Sequence, residues 1–253
     1  MNAQEAPVTA TGWRARRRRW VKETGRTVMA GVAALFRRQS LIGATPVFTR
    51  DVFPWLAEFE SHWPDIRAEL DSVLGAHERL PAFHEVSPDQ ARISTGTSWQ
   101  VYPFYTFGDA YPPHCAACPR TAALLATVPN LRNAMFSILA PRYHIPAHQG
   151  PTNGIIRVHL PLIVPRDRAR CRIRVGDEIL VWEQGRAVVF DDYYEHEVWN
   201  DTDETRVVLF FDVDRPMRPL GRALNRAIIA LFKQSAYIKD AKRNIEARFA
   251  ARG

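Results

Sequence analysis

The chain has 253 residues, enough for one large domain or a domain with extensions, which excludes two full-size domains. Its 46% hydrophobic and 24% charged content excludes collagen-like, disordered and disulfide-scaffold classes and leaves a globular chain able to bury a core. The net charge of +7 is segregated: residues 1–40 hold nine Lys/Arg against two Asp/Glu, residues 215–253 ten against two, and the residues between them 15 against 23. No basic groove is therefore expected through the middle, which argues against a sequence-specific nucleic-acid domain, while the flanks suit an anionic lipid surface or RNA.

In chain order, residues 1–45 read as a basic arm, either amphipathic or disordered. The apolar run Thr27–Phe36 is too short to span a bilayer. Arg37-Arg38 follows it in place of a small-residue cleavage site, so no signal peptide is expected. Trp13, Trp20 and Arg16–Arg19 suit a helix lying in a lipid interface or a solvated basic tail. Three cysteines, Cys115, Cys118 and Cys171, are too few for a secreted disulfide framework. The expected location is cytoplasmic, peripheral on the inner face of the membrane.

The spacing of Phe53, Leu56, Phe59, Trp63, Ile66, Leu70 and Leu74 predicts a helix over Phe53–Leu74, and Pro119 opens a second helix that ends near Thr127. Seven short strand-like runs follow: Ala134–Leu139, Ile155–Val164, Cys171–Val175, Glu178–Trp182, Ala187–Phe190, Glu195–Trp199 and Arg206–Asp212. At this spacing they predict a mainly β fold with flanking helices and a jelly-roll core, that is, a double-stranded β-helix of cupin-like type, from about residue 94 to 214. Pro216 and Pro219 end the β region, and a basic helical extension fills 215–253, with its pattern over Leu220–Phe249.

His144, His148, His159 and His196 lie in or beside the β region, where a jelly roll can aim side chains into one cavity. An iron site that binds a cosubstrate and dioxygen needs few protein ligands, commonly two His and one carboxylate. His148-Gln149-Gly150 has glycine where His-x-Asp/Glu would place the carboxylate. Two histidines 48 residues apart are equally compatible with satisfied core or surface histidines.

The combined motifs are more specific. His148-Gln149-Gly150-Pro151-Thr152-Asn153, Arg157-Val158-His159-Leu160, Trp182-Glu183, Phe190-Asp191-Asp192, Glu195-His196-Glu197-Val198-Trp199 and Arg206 occur in that order. From about Trp99 to Asp214 this pattern closely resembles the aspartyl/asparaginyl β-hydroxylase family of Fe(II)/2-oxoglutarate dioxygenases, which likewise lacks the carboxylate ligand. The resemblance implies an oxygenase domain over 46–214, with Fe(II), 2-oxoglutarate and O2 as metal, cosubstrate and oxidant. It implies His148 and His196 as catalytic iron ligands and Arg206 as partner of the far carboxylate of 2-oxoglutarate, a role suited to a bidentate donor. Ser137 is implied as its hydroxyl partner, Arg157, Val158 and His159 as the lining of the keto-acid end, and Trp99 as a pocket aromatic. The implied reaction hydroxylates an unactivated C–H bond and releases succinate and CO2.

The substrate stays open between the β-carbon of an aspartyl or asparaginyl residue or related amino-acid unit, expected first, a free or carrier-linked amino acid, and a lipid acyl chain at the membrane face. Phe211–Met217 and the basic helix after it resemble the ending of bacterial lipid A hydroxylases, although those relatives carry the carboxylate that Gly150 denies here. Asp191 and Asp192 read as turn formers before the His196 strand, with filling of the vacant iron position as the alternative. His144 has no matched role. Cys115-Ala116-Ala117-Cys118 with His114 cannot enclose zinc and reads as structural. Two other classes remain: a non-catalytic jelly roll that binds a metal or small acid, and a membrane or RNA adaptor carried by the basic ends.

Overall fold

The computed structural model describes residues 28–77 and 79–250. Helix α1 (residues 28–39) leads into strand β1 (Val47–Phe48), α2 (Leu56–Ser61), α3 (Trp63–Ala76) and the short α4 (Phe83–Val86). Strands β2 (Trp99–Thr106) and β3 (Asp109–Ala110) precede α5 (Pro112–Ala117) and α6 (Pro119–Thr127). The β region runs through β4 (Leu131–Leu139), β5 (Tyr143–His148), β6 (Ile155–Ile163), β7 (Cys171–Val175), β8 (Glu178–Val181), β9 (Val188–Phe190), β10 (His196–Asn200) and β11 (Arg206–Asp214). Helices α7 (Pro219–Gln234) and α8 (Ala236–Ala250) close the described chain.

Among the described residues these strands form two antiparallel sheets, ordered β1-β9-β6-β11-β4-β2-β3 and β5-β10-β7-β8. The fold is the predicted jelly roll with flanking helices. Central strand β11 is buried on both faces, which explains its continuous apolar run. Successive residues alternate sides. Val207, Leu209 and Phe211 join a core with Leu56, Phe59, Ile66 and Leu70 of α2 and α3, while Val208 and Phe210 join a second core between the sheets with Ile173, Val175, Trp182 and Val198. Arg206 and Asp212 share the parity of Val208 and Phe210, so the same alternation turns them into the space between the sheets.

Three expectations change. The predicted single helix over Phe53–Leu74 is two helices meeting at His62, because Pro64 stands in the first turn of α3, where its missing N–H costs no hydrogen bond. The helical pattern over Leu220–Phe249 breaks at Ser235, whose backbone is extended. Residues 28–39, assigned to the arm, form a helix docked on the body through Ala33 and Phe36, both buried. Trp13, Trp20 and Arg16–Arg19 lie outside the described residues. Strand β5 had no counterpart in the predicted set. It is an edge strand with Pro146 inside it and an exposed, weakly alternating pattern, tolerable only because an edge position needs no N–H there. No helix among the described residues is long and apolar enough to cross a membrane.

Candidate functional site

The missed strand β5 carries His148, and β10 carries His196. The two residues are direct cross-strand partners, with a register irregularity immediately after the pair. Directly opposed residues point to the same face of a sheet, and the rings stand 4.1 Å apart between centroids. Each ring's Nδ1 lies 2.9 Å from a main-chain carbonyl two residues earlier, Pro146 O for His148 and Tyr194 O for His196. A carbonyl can only accept, so each Nδ1 carries the hydrogen and the neutral ring is left with an Nε2 lone pair. Burial, and next the neighbouring His196, push the His148 imidazole down to about 4, and burial likewise lowers His196. Both rings are therefore neutral at ordinary pH, the form that binds metals.

Asp192 completes the surroundings without becoming free. Its Oδ1 is 3.2 Å from His196 Nε2, an acceptor facing an acceptor, an arrangement suited to a cation held between them. The same carboxylate is ion-paired with Arg157, whose Nε also donates to Asp212 Oδ1 at 2.9 Å. Burial opposes the charge on Asp192, but Arg157 and then His196 overcome it and hold the carboxyl below its ordinary range; burial raises Asp212. Among the described residues, no cluster of three or more His, Cys, Asp or Glu forms a metal cage. The two neutral imidazoles leave Nε2 lone pairs of the kind that suit a metal keeping open positions.

Deeper between the sheets lies a second feature. Arg206 is buried, its guanidinium 4.6 Å above the Trp182 ring, and its Nε and Nη1 have no hydrogen-bond partner. Burial brings its pKa down to about 10, so it is still cationic at neutral pH. His159 Nδ1 and Trp182 Nε1 are buried and unpartnered as well, and burial followed by Arg206 keeps His159 well below its ordinary range. A buried cation with idle donors is costly unless an anion arrives. Ser137 lies on the cavity face of β4, opposite Val208, and accepts a hydrogen bond from Trp99 Nε1 at 3.0 Å, so its own hydroxyl hydrogen is free to donate.

The structure therefore brings together His148, His196, Arg157, His159, Arg206, Ser137 and Trp99. It does not bring Val158: this side chain is fully buried on the opposite face of β6, in the core covered by α2 and α3. The strand's alternation dictates this, since Arg157 and His159 already take the cavity face. The sequence offers no role for Trp182 and leaves Asp192 between two readings; the available signals are the parity of Asp212 with Arg206 along β11 and the place of Asp192 four residues before His196. His144 pairs with Glu197 at 2.7 Å on the surface, apart from any role in the site. Cys115, Cys118 and Cys171 are free thiols; burial pushes Cys118 up to about 12, which leaves it unreactive.

Fold and site together define a jelly-roll protein in which two neutral histidines face each other across paired strands and a buried arginine keeps idle donors between the sheets. The model of the aspartyl/asparaginyl β-hydroxylase family matches residues 60–216, and the chain belongs to that family. It is 42% identical over 214 residues to the ornithine lipid ester-linked acyl 2-hydroxylase of Rhizobium tropici, covering 85% of this chain and 76% of that protein. It is 31% identical over 162 residues to human aspartyl/asparaginyl β-hydroxylase, covering 62% of this chain but only 20% of that protein. A solved 2OG-Fe(II) oxygenase-family oxidoreductase from Burkholderia pseudomallei aligns with a TM-score of 0.37 at 15% identity, over 63% of this chain and 90% of that one. Family membership supports an oxygenase that hydroxylates its substrate.

Proposed function

We propose that this chain is an Fe(II)/2-oxoglutarate-dependent dioxygenase that hydroxylates a C–H bond of a lipid acyl chain. The observation that carries the substrate class is the cavity that His148, Arg157 and Asp192 line together with Phe83, Val86, Ile93, Val101, Met135 and Phe210. Ala241 and Ile245 of α8 also line it. A largely apolar lining beside a few polar groups and the histidine pair suits a hydrocarbon chain. The name of the Rhizobium tropici relative, an acyl 2-hydroxylase, supports the same class.

Iron with 2-oxoglutarate and O2 supplies the oxidant that replaces hydrogen by hydroxyl, the keto acid leaving as succinate and CO2. The protein's own residues bind and orient. His148 and His196 hold the metal through Nε2, their tautomers fixed by the Pro146 and Tyr194 carbonyls. Arg206, with the Ser137 hydroxyl on the same face, receives the distal carboxylate in a site that is otherwise an uncompensated buried charge. Trp182 lies under the guanidinium and fixes its plane. Arg157 keeps Asp192 occupied beside the metal position.

A second reading, hydroxylation of the β-carbon of an aspartyl or asparaginyl unit, is favoured by the family model and by Arg92 at the cavity, where a cation could meet a substrate carboxylate. A non-catalytic jelly roll that binds a metal or small acid and a membrane or RNA adaptor rank lower, because neither requires the histidine pair and the buried Arg206 together. The test incubates iron-loaded protein and 2-oxoglutarate with a total lipid extract and, separately, with Asp-rich peptides, and reads added oxygen by mass spectrometry. Oxygen on an acyl chain supports the proposal; oxygen on peptide alone replaces it with the second reading.

A further inference from the structure

The inner faces of α1 and α7 hold the loop that follows His148. Asn225 of α7 donates to Gly154 O at 3.0 Å, and Asn153 donates to Ala33 O of α1 at 2.9 Å. The two helices meet tightly: a β-carbon on Gly221 would lie 2.6 Å from Gln39 Cβ. Their junction is clamped by Arg218 N to Gln39 O at 2.8 Å and Leu41 N to Pro216 O at 2.9 Å.

The outer side of this layer is a different surface. Leu220, Leu224, Ala227 and Leu231 recur at i, i+4, i+7 and i+11, a single stripe along α7. Leu220 and Leu231 are 62% and 67% exposed, and Leu41 beside the junction is 63% exposed. These are three of the most exposed large apolar side chains in the described residues. Arg222 and Arg226 are exposed on the opposite edge of the same solvent-facing arc of α7, with exposed Ala223 and Ala230 between the edges; Arg37, Arg38 and Arg218 are exposed too, and no Asp or Glu occurs in residues 28–46 or 215–239.

We propose that this α1/α7 face docks on an anionic lipid bilayer, the leucines entering the interface and the arginines meeting lipid phosphates. Charge complementarity selects this occupant. A two-fold pair of chains would bring the same patch against itself and set two basic, acid-free segments side by side. The remaining N-terminal residues, 1–27, carry seven Lys/Arg against two Glu and would be repelled as well. A solvent-facing arc with leucines along one edge, arginines along the other and no acid suits the interface of an anionic membrane. The proposal does not rest on the hydroxylase reading. Together with it, the helices that grip the site's loop on one side would meet the source of acyl chains on the other.

The full chain is to be sedimented with phosphatidylglycerol/phosphatidylcholine vesicles and with phosphatidylcholine alone. The expected result is binding to the anionic vesicles only, weakened by salt. L220D/L231D and R222E/R226E should each reduce that binding at least tenfold at an unchanged melting temperature, because the altered side chains are exposed. A fluorophore on L231C gives a second reading independent of variant folding: its emission should shift to the blue on addition of anionic vesicles. Wild-type binding by L220D/L231D with no blue shift at position 231 overturns the proposal in favour of residues 1–27. A wild-type dimer that L220D/L231D dissociates overturns it in favour of a second copy.

Discussion

Gly150 and Asp192 compete for one volume: a β-carbon on Gly150 would stand 1.9 Å from Asp192 Oδ2 and 3.0 Å from the Asp192 carbonyl. The glycine that replaces a carboxylate ligand in the sequence is thus the space in which another carboxylate sits, fixed by Arg157. Gly150→Asp should therefore not complete a three-ligand site. It should displace Asp192 and destabilise the fold by about 1–3 kcal/mol as an overpacked position. Its Co(II) affinity, followed by visible absorbance, should fall below that of the wild type; tighter binding would contradict this account.

Arg206 contributes nothing to the stability of the ligand-free chain that its burial does not cost. Arg206→Met should leave the melting temperature of the apo-protein unchanged or raise it, since it removes a buried cation whose Nε and Nη1 have no partner. The same change should weaken 2-oxoglutarate binding by more than tenfold while metal affinity stays the same. Calorimetric titration with metal and then with keto acid separates the two effects.

The histidine pair gives a pH dependence of definite sign. His148 falls to about 4 in the folded chain from an ordinary 6.5, so between these values the unfolded chain binds more protons. This contribution to stability is complete above 6.5 and is lost as the pH falls toward 4. Melting temperatures of the apo-protein between pH 7 and 4 should drop more steeply than those of His148→Gln. Metal affinity should hold nearly level down to about pH 5, where exposed imidazoles would already have lost it to protons.

Helix α8 lies beyond the residues matched by the family model, yet it supplies Ala241 and Ile245 to the cavity. It is held by Lys242 paired with Asp109, by Arg248 with Glu85, and by the Phe249 ring 4.2 Å from His114. Ala241→Trp should narrow the apolar passage and cut acyl hydroxylation at least tenfold, with 2-oxoglutarate binding intact. Product mass spectra beside a keto-acid titration check both halves.

The parts legible in sequence were those in which one periodicity ruled. Cys171–Val175 and Pro119–Thr127 coincide with β7 and α6, and Arg206–Asp212 falls within β11. Strand β5 escaped because exposure and Pro146 erased its alternation, although His148 at its end was found through the motif around it. The motif presents Arg157, Val158 and His159 as one run, whereas a strand sends the middle residue of any triplet to the other face. The unpartnered donors of Arg206, His159 and Trp182 depend on strands distant in sequence, and no local pattern encodes what a side chain fails to meet. The cavity walls from α4 and α8 were hidden for the same reason.

The central claim is that two neutral imidazoles and a buried arginine hold iron and a keto acid together. It is tested most directly by anaerobic titration of the apo-protein with Fe(II) and then 2-oxoglutarate, with the visible charge-transfer band of the chelated keto acid as the signal. The account predicts a band in the wild type that is absent in His148→Ala and needs far more keto acid in Arg206→Met. No band from folded, iron-loaded wild type, or an undiminished band in both His148→Ala and His196→Ala, would contradict it.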